Sequence, residues 1–520
     1  MAKTTKSGTI KCLFFLIVLI IVVTTNIRGQ WPTQKLQVTL SNIQLSSILD
    51  SLSTVFNVNF SYNSDLPAIH KVKSLNCKCT LYDILTQLIE DENIQFSIVE
   101  NHIIFTSNDF GKSAILESKS AEKYLILKGI IVTNEDHKPL SFASIGIIGR
   151  SIGTVANING EFILKVPSEL RSDSVVFSFL GFQEKCFLVD SLDEAEKTIV
   201  LTEKTIQITP VFVKHVVAEE VVEKAMQLVS KNYPIINSMY KGFYRETIKE
   251  ENEYISVCEA IINIAKSPYN SVFSLDQAHI FKGRKIVNYK LTNKLRFKLE
   301  GGIYNCLTLD IIKDVSTFLS SEYFKMYDYK YLKTVSYNNH NLYVIEFKQK
   351  ESAKDYALYD GIVYIDEESK AIIASKFSLS QNGMKYAQSM FVRKKPRKFT
   401  IKPLNTSYMV FYKNMNGKYY LDYIRAELKI KAKNDRLFFN STYTSVSEMA
   451  VTEIDTTNAY RFKRSEIAKS DDILVDSETN YDESFWGNNN IITPEASMTE
   501  ALKKLNFNKN EESSFWDKLF

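Results

Sequence analysis

Cysteine, histidine and long apolar runs are all scarce in this 520-residue chain, and each scarcity removes a class of protein. The six cysteines are too few and too scattered for a disulfide-stapled secreted scaffold. One of them, Cys12, lies in the leader described below. Cys77, Cys79, Cys186, Cys258 and Cys306 are read as mostly free, buried thiols behaving as small hydrophobes, with their disulfide status left open. Cys77-x-Cys79 falls in a strand-like stretch, where both side chains point the same way. No second pair and no nearby histidine completes a zinc set around it. None of the six histidines opens an H-x-x-E or H-E-x-x-H pattern, so metallocarboxypeptidase chemistry has no ligand set. P-loop and G-x-G-x-x-G patterns are missing as well, which removes the support for nucleotide binding. No apolar run suits a polytopic membrane protein, whose spanning helices need about 20 residues.

What remains is an ordinary folded composition, 45% hydrophobic and 24% charged, which excludes collagen-like, mucin-like and wholly disordered chains. At about 150 residues per domain the length suggests three or four domains. Lys3, Lys6 and Lys11 precede an apolar run from Leu13 to Val23. A basic segment before a short apolar core reads as a secretory signal over 1–29. Cleavage is expected after Gly29, with Thr25 as the rival. A retained anchor is the alternative, because a clean small-x-small site is missing. Cys12 precedes the apolar core, where a lipoprotein cysteine would follow it, so lipidation is not expected. Lys3, Lys6, Lys11 and Arg28 account for the whole formal charge of +4. The mature chain is near neutral, which argues against nucleic acid as a partner.

Residues 36–107 read as a small α+β domain. Leu36–Leu40 alternates like a strand. Leu45, Ile48, Leu49, Leu52, Val55 and Phe56 then fall at helical spacing, and Val58–Tyr62 is strand-like again. A second cycle follows, with a helical stripe of Leu81, Ile84, Leu85, Leu88 and Ile89, then a hairpin of 95–99 and 102–105 around Glu100-Asn101. The stretches VTLSNIQLSSILDSLSTVFNVNFSYNSDL and CTLYDILTQLIEDENIQFSIVENHIIF resemble the short N-terminal domain of secretins and TonB-dependent receptors (STN). That resemblance implies a periplasmic module that makes protein contacts and carries no catalysis. The polar stretch 108–123 is expected to be a linker.

Residues 124–205 show short strands separated by turns and no helix, which predicts a β-sandwich. The strands are expected at 124–132, 143–148, 161–166, 175–179 and 198–201. KGIIVTNEDHKPLSFASIGIIG, GTVANINGEFILKVP and VVFSFLGFQEK resemble the carboxypeptidase regulatory-like domain, a transthyretin-like sandwich. Despite its name, that family implies no peptidase centre. Gly160 is expected to close a tight turn there.

Residues 214–460 read as a large antiparallel β-rich domain with a few helices. Val216–Val229 and Leu307–Leu319 are expected to be helical. Hairpins follow, one turning through Asp366–Lys370 and another through Asn414–Gly417. Ile424, Ala426, Leu428 and Ile430 alternate with Arg425, Glu427, Lys429 and Lys431, which marks a sheet with one wet face. YDGIVYIDEESKAIIASKFSLS resembles an element of the half-open barrels of periplasmic lipoprotein carriers. Residues 461–520 turn polar and are expected to form an extension with short helices, one at Ser497–Leu505. Phe520 lacks the alternating strand before it that a membrane barrel requires. The fold class is therefore multidomain and mostly β.

The search for chemistry yields only weak candidates. Gly149-Arg-Ser-Ile-Gly153 fits G-x-S-x-G, which lifts a serine at a strand-to-helix turn. Strand and turn follow here, so a sandwich loop is the expected context. His215, His279 and His340 have no distinctive surroundings, and His215 with Glu219 reads as a surface pair. Asp366-Glu367 sits in a turn, where solvated charge is the default. The aromatic cluster Tyr323–Tyr331 suits a core more than a sugar or lipid groove. The basic knot Arg393–Lys398 reads as a solvated loop. The expectation is thus no catalytic, cofactor or metal residues and no cofactor. The chain is expected to be a non-enzymatic, exported protein of the periplasm or outer membrane of a Gram-negative bacterium. A protein partner is expected, with lipid or glycan as further ligands and the oligomeric state open. The alternative is an envelope hydrolase working through the C-terminal region.

Overall fold

The computed structural model describes residues 35–56, 58–61, 71–89, 94–99, 102–107, 124–192, 196–204, 216–271, 274–288, 298–299, 302–313, 318–387, 391–394, 400–434, 439–468 and 483–503. The chain divides into two compact units, Met1–Lys123 and Tyr124–Phe520. The protein is mostly β: a small α+β unit, a β-sandwich, and a large open antiparallel sheet carrying a few helices.

In the first unit, strand β1 (Lys35–Gln44) runs directly into helix α1 (Leu45–Phe56) and then β2 (Asn59–Ser61). The cycle repeats as β3 (Val72–Thr80), helix α2 (Leu81–Ile89), β4 (Ile94–Val99) and β5 (His102–Ser107). Strands β1 and β3 pair antiparallel, while β5 lies between β2 and β4. Helix α2 starts on a reciprocal cap, because the Thr80 and Asp83 side chains each accept from the other's backbone N–H. The apolar stripes of both helices close one core with Val38, Ile103 and Phe105. The Glu100-Asn101 turn lies outside the described residues.

The cysteines depart from expectation. Cys77 and Cys79 are joined as a disulfide on β3, since alternation along a strand brings both sulfurs to the same face. Cys186 is free but exposed, whereas Cys258 and Cys306 are free and buried.

The second unit opens with the sandwich. Its strands are β6 (Tyr124–Thr133), β7 (Ser144–Ile147), β8 (Gly153–Val155), β9 (Glu161–Pro167), β10 (Ser174–Ser178), β11 (Lys185–Leu188) and β12 (Glu196–Leu201). They form two sheets, ordered β11-β10-β7-β8 and β12-β6-β9. Leu125, Leu127, Ile145, Phe162, Leu164 and Phe177 alternate inward to fill the space between them. Gly160 has φ +76°, and a Cβ there would meet the Ile131 carbonyl at 2.5 Å, so this turn needs glycine. The G-x-S-x-G segment is the hairpin loop between β7 and β8 and leads into no helix.

Helix α3 (Ala218–Gln227) follows, then β13 (Ser238–Glu250), β14 (Glu253–Lys266) and β15 (Gln277–Val287). The chain continues through β16 (Lys298–Leu299), β17 (Tyr327–Tyr337), β18 (His340–Gln349), β19 (Tyr359–Asp366), β20 (Ile372–Leu379), β21 (Val392–Lys394), β22 (Thr400–Met415), β23 (Lys418–Asn434) and β24 (Phe439–Asp455). Ten of these strands form one antiparallel sheet, ordered β15-β14-β13-β24-β23-β22-β20-β19-β18-β17. Among the described residues β24 is the last strand and enters the sheet's interior between β13 and β23, which leaves β15 and β17 at the edges. Asn416 and Gly417, at φ +53° and +78°, make the turn that joins β22 to β23.

One face of this sheet is apolar and already covered by the chain itself. Ala218, Val222 and Ala225 of α3, with Ile303, Leu307 and Phe318, pack on Tyr240, Ile262, Leu342 and Phe347. The expected helix over Leu307–Leu319 is shorter and earlier, at Ile303–Leu307, and turns follow it. Asp310 is buried there with both carboxylate oxygens engaged by other segments, which fixes a turn in place of further helix. Tyr327 and Tyr329 of the aromatic cluster are core residues.

Candidate functional site

The opposite face of the large sheet carries a row of charge. Arg284 on β15, Glu259 on β14, Arg245 on β13, Glu448 on β24 and Arg425 on β23 are directly opposed neighbours across five strands. The signs alternate along the row. Arg245 Nη2 lies 2.7 Å from Glu259 Oε1, and Arg245 Nη1 lies 3.1 Å from Glu448 Oε1. Arg284 Nη2 is 2.7 Å from the other oxygen of Glu259. Arg425 Nη1 is 3.2 Å from Glu448 Oε2, which also accepts from the Tyr423 hydroxyl at 2.9 Å. The other end of the Arg425 fork reaches Glu427 at 3.2 Å. All five members of the row are buried, from 1% exposed at Glu259 to 8% at Arg425.

Burial of this kind works against charge, and the row answers it by pairing. Burial alone raises the Glu259 carboxyl, but the guanidinium groups of Arg245 and Arg284 outweigh it and hold the group below its usual range. Burial lowers Arg245, while Glu259 and Glu448 more than compensate and keep it charged.

This face was expected to be wet. Lys429 and Lys431 on β23 are indeed exposed, but Arg425, on the same face, is buried. The difference comes from the segment 483–503, which folds back over the row. Trp486 is 2% exposed and meets Phe243 edge-on at 5.5 Å between ring centroids. The Arg284 guanidinium lies 5.1 Å from the Trp486 ring centre. The Ile492 carbonyl accepts from Arg245 Nη2 at 2.7 Å. Asn490 grips the backbone of Lys165 on β9, accepting from its N–H at 2.7 Å and donating to its carbonyl at 3.0 Å. Thr154 donates to the Ile491 carbonyl at 3.1 Å. From the sandwich, Phe142 stacks on Tyr423 and faces Arg425 at 5.0 Å. Sandwich, sheet and tail therefore meet over one charge row.

At the open end of the row lies a cleft of about 200 Å³. Thr247, Lys249, Thr444 and Glu427 line it from the sheet, Ile158 from the sandwich, and Glu495 and Met498 from the tail. Arg245, Arg425 and Glu448 form its inner wall. Its cations (Arg245, Arg425, Lys249) match its anions (Glu427, Glu448, Glu495) in number. The Lys249 ammonium sits 4.2 Å from the Tyr254 ring centre.

The sequence candidates do not converge on this cleft. Ser151 is in the β7–β8 loop. His279 stacks on Phe462, and His340 is 3.1 Å from buried Asp366 at the far side of the sheet. His215 and the side chains of Arg393–Lys398 lie outside the described residues. Among the described residues, no group of three or more His, Cys, Asp or Glu is placed to hold a metal ion. Sequence reading missed Arg245, Glu259, Arg284 and Glu448. A signal was present: Glu259 interrupts SVCEAIINIA, an otherwise nearly apolar strand, and only a buried partner makes a carboxylate tolerable there.

A family model described as a CarboxypepD_reg-like domain matches residues 127–213, most of the sandwich and the segment after it. No curated protein matches the chain. Solved structures share distant similarity. One is a putative outer membrane lipoprotein-sorting protein domain from Vibrio parahaemolyticus, 10% identical over 46% of this chain and 95% of that one, with a TM-score of 0.21. A LolA superfamily protein from Nitrosomonas europaea is 12% identical over 49% and 99%, with a TM-score of 0.19. MucB in complex with MucA(peri) is 9% identical over 47% and 100%, with a TM-score of 0.15. Among the described residues, no helix is long and apolar enough to cross a membrane.

Proposed function

We propose that this chain is a non-enzymatic, exported protein of the Gram-negative cell envelope, which works by presenting folded surfaces to a protein partner. The first unit, over 36–107, serves as an STN-like docking module, and 108–123 tethers it to the rest. The sandwich over 124–205 and the sheet over 214–460 are held together by the described segment 483–503 of the extension 461–520, and the cleft at their junction is the recognition site. The observation that supports this reading is the locked state of two of the cleft's three carboxylates. Glu448 is fixed by Arg245, Arg425 and Tyr423, and Glu427 by Arg425. A general acid or base must exchange a proton with substrate, and groups tied in this way are better suited to display a fixed pattern. Because that pattern sums to zero, it favours a partner that supplies both donors and acceptors, such as a peptide backbone or a neutral glycan, over a strongly charged one.

Two measurements test the reading. Crosslinking in intact cells followed by mass spectrometry should recover an envelope protein, with crosslinks mapping near Lys249. Zinc titration and serine-probe labelling of the purified mature chain should both be blank. Stoichiometric metal, or labelling that is lost in Ser151→Ala, favours the hydrolase reading instead.

A further inference from the structure

A second buried charge cluster lies away from the cleft, where the end of β14 meets the turn after Ile303–Leu307. Lys266 Nζ is 2.5 Å from Asp310 Oδ2 and 2.5 Å from Asp276 Oδ2. Lys266 is 2% exposed and Asp310 1%. Two tyrosine hydroxyls donate to Asp310, Tyr269 to Oδ2 at 2.9 Å and Tyr412 to Oδ1 at 2.6 Å. Asp276 accepts from the Ser267 backbone N–H at 2.9 Å and from Lys313 Nζ at 2.9 Å.

From this geometry we infer that Lys266 and Asp310 condense into an intramolecular amide cross-link after the chain folds. Three features of the cluster suit that reaction. The nucleophile and the carboxyl are held in contact, which supplies in advance the entropy that a bimolecular encounter would cost. The acceptor carboxyl has a hydroxyl donor on each oxygen, placed to stabilise negative charge as it develops on the tetrahedral intermediate. A second carboxylate, Asp276, touches the same nitrogen and can relay its proton.

The step balances without any co-reactant. The Lys266 ammonium passes one proton to the Asp310 carboxylate, giving an amine and a carboxylic acid. The amine attacks Cγ of Asp310 and forms the C–N bond. Asp276 takes a second proton from the nitrogen and delivers it to the departing hydroxyl, which breaks the C–O bond and leaves as water. One water is lost, and no electrons are gained or lost overall. At rest, burial lowers Lys266, but Asp276 and Asp310 outweigh it and keep the ammonium charged. The neutral pair is thus a minor state, so the reaction is slow on the scale of folding. It nonetheless accumulates, because Lys266 and Asp310 are 2% and 1% exposed, which keeps bulk water from the amide and slows its hydrolysis.

Lys313 explains how the product is tolerated. Condensation removes one positive and one negative charge, leaving Asp276 paired with Lys313 and no uncompensated buried charge. Without Lys313, Asp276 would be stranded. The cross-link closes a loop between positions 44 apart in sequence and so restricts the unfolded chain, in a protein whose described disulfide spans two positions.

The test is the intact mass of the purified, folded mature chain. After reduction of the Cys77–Cys79 disulfide, the expected mass is one water below that calculated for the mature sequence. A tryptic digest should contain a branched peptide joining the segment around Lys266 to the segment around Asp310. Lys266→Arg keeps both ion pairs but offers no amine for condensation, so it should restore the full mass and lower the melting temperature. A folded wild-type chain at full mass overturns the inference. So does a water loss that maps elsewhere, such as a succinimide, or one that persists in Lys266→Arg. Should Lys266→Arg fail to fold, the wild-type mass and the branched peptide decide alone. None of these outcomes bears on the cleft reading, which is judged by partner capture.

Discussion

Replacing Arg245 by methionine should test whether the charge row holds the second unit together. Methionine fills much of the same volume but leaves three acceptors short of a donor: Glu259 Oε1, Glu448 Oε1 and the Ile492 carbonyl. Removing one partner of a buried ion pair costs about 3–5 kcal/mol, and a buried carbonyl left unpaired about 1–3 kcal/mol. The two glutamates each retain one arginine, Arg284 and Arg425 respectively, which limits the damage. The expected loss is therefore about 3–5 kcal/mol in all. The row also predicts its own rescue. In Arg245→Met/Glu448→Gln, the remaining charges sort into matched pairs, Glu259 with Arg284 and Glu427 with Arg425. The double variant should then recover about 1–2 kcal/mol over the single one, a negative coupling between adjacent sites. Urea denaturation followed by far-UV circular dichroism and by tryptophan fluorescence, with Trp486 next to the row, measures both. A loss below about 1 kcal/mol for Arg245→Met, or a double variant worse than the single, would show that the row does not hold the second unit together.

Glu259 sits below its usual range when folded, so its stabilisation is present above the unfolded value and lost as pH falls through the folded one. Thermal melts should hold steady from neutral pH down to about 5 and decline below about 4, and a chain with Glu259→Gln should lose that part of the acid sensitivity. Thiol titration of the folded chain made without residues 1–29 should find Cys186 reactive and Cys258 and Cys306 silent until denaturation, because burial pushes Cys258 up to about 12 and Cys306 higher still. Cys77 and Cys79 should add to the count only after reduction. In the sandwich, a Cβ on Gly129 would lie 1.9 Å from the Lys197 carbonyl, so Gly129→Ala should push β12 off β6 and cost at least about 1–3 kcal/mol in the same melts.

Much of the architecture was legible because local period and burial agree. The stripe of Leu81, Ile84, Leu85, Leu88 and Ile89 is helical and all five are buried. The strands of the sandwich alternate as read, with Phe162, Leu164 and Val166 inward. Asn416-Gly417 supplies the two positive φ angles that a tight hairpin demands. The helix over Leu307–Leu319 was misjudged because apolar spacing alone cannot report that Asp310 is held by Lys266, Tyr269 and Tyr412. Both charge clusters escaped notice for the same reason. Their members come from segments up to about two hundred positions apart, as with Arg245 and Glu448, and single-strand patterning carries no register between strands.

On β23, alternation of polar and apolar residues sets which face each side chain takes, while the residue type sets whether that face is wet. Alternation assigned Arg425, Glu427, Lys429 and Lys431 to one face correctly. It then equated polar with solvated, which holds for the lysines and fails for the arginine. Lysine carries a compact, strongly hydrated charge, while the planar guanidinium forks between two carboxylates and stacks on a ring, as Arg425 does with Glu427, Glu448 and Phe142. The switch from arginine to lysine along one face of β23 thus marks where the cover ends and the open surface begins. The cleft sits at that boundary, with Arg425 on its inner wall. A partner that extended the cover would run outward from the cleft over Lys429 and Lys431, the part of this face that the chain leaves exposed.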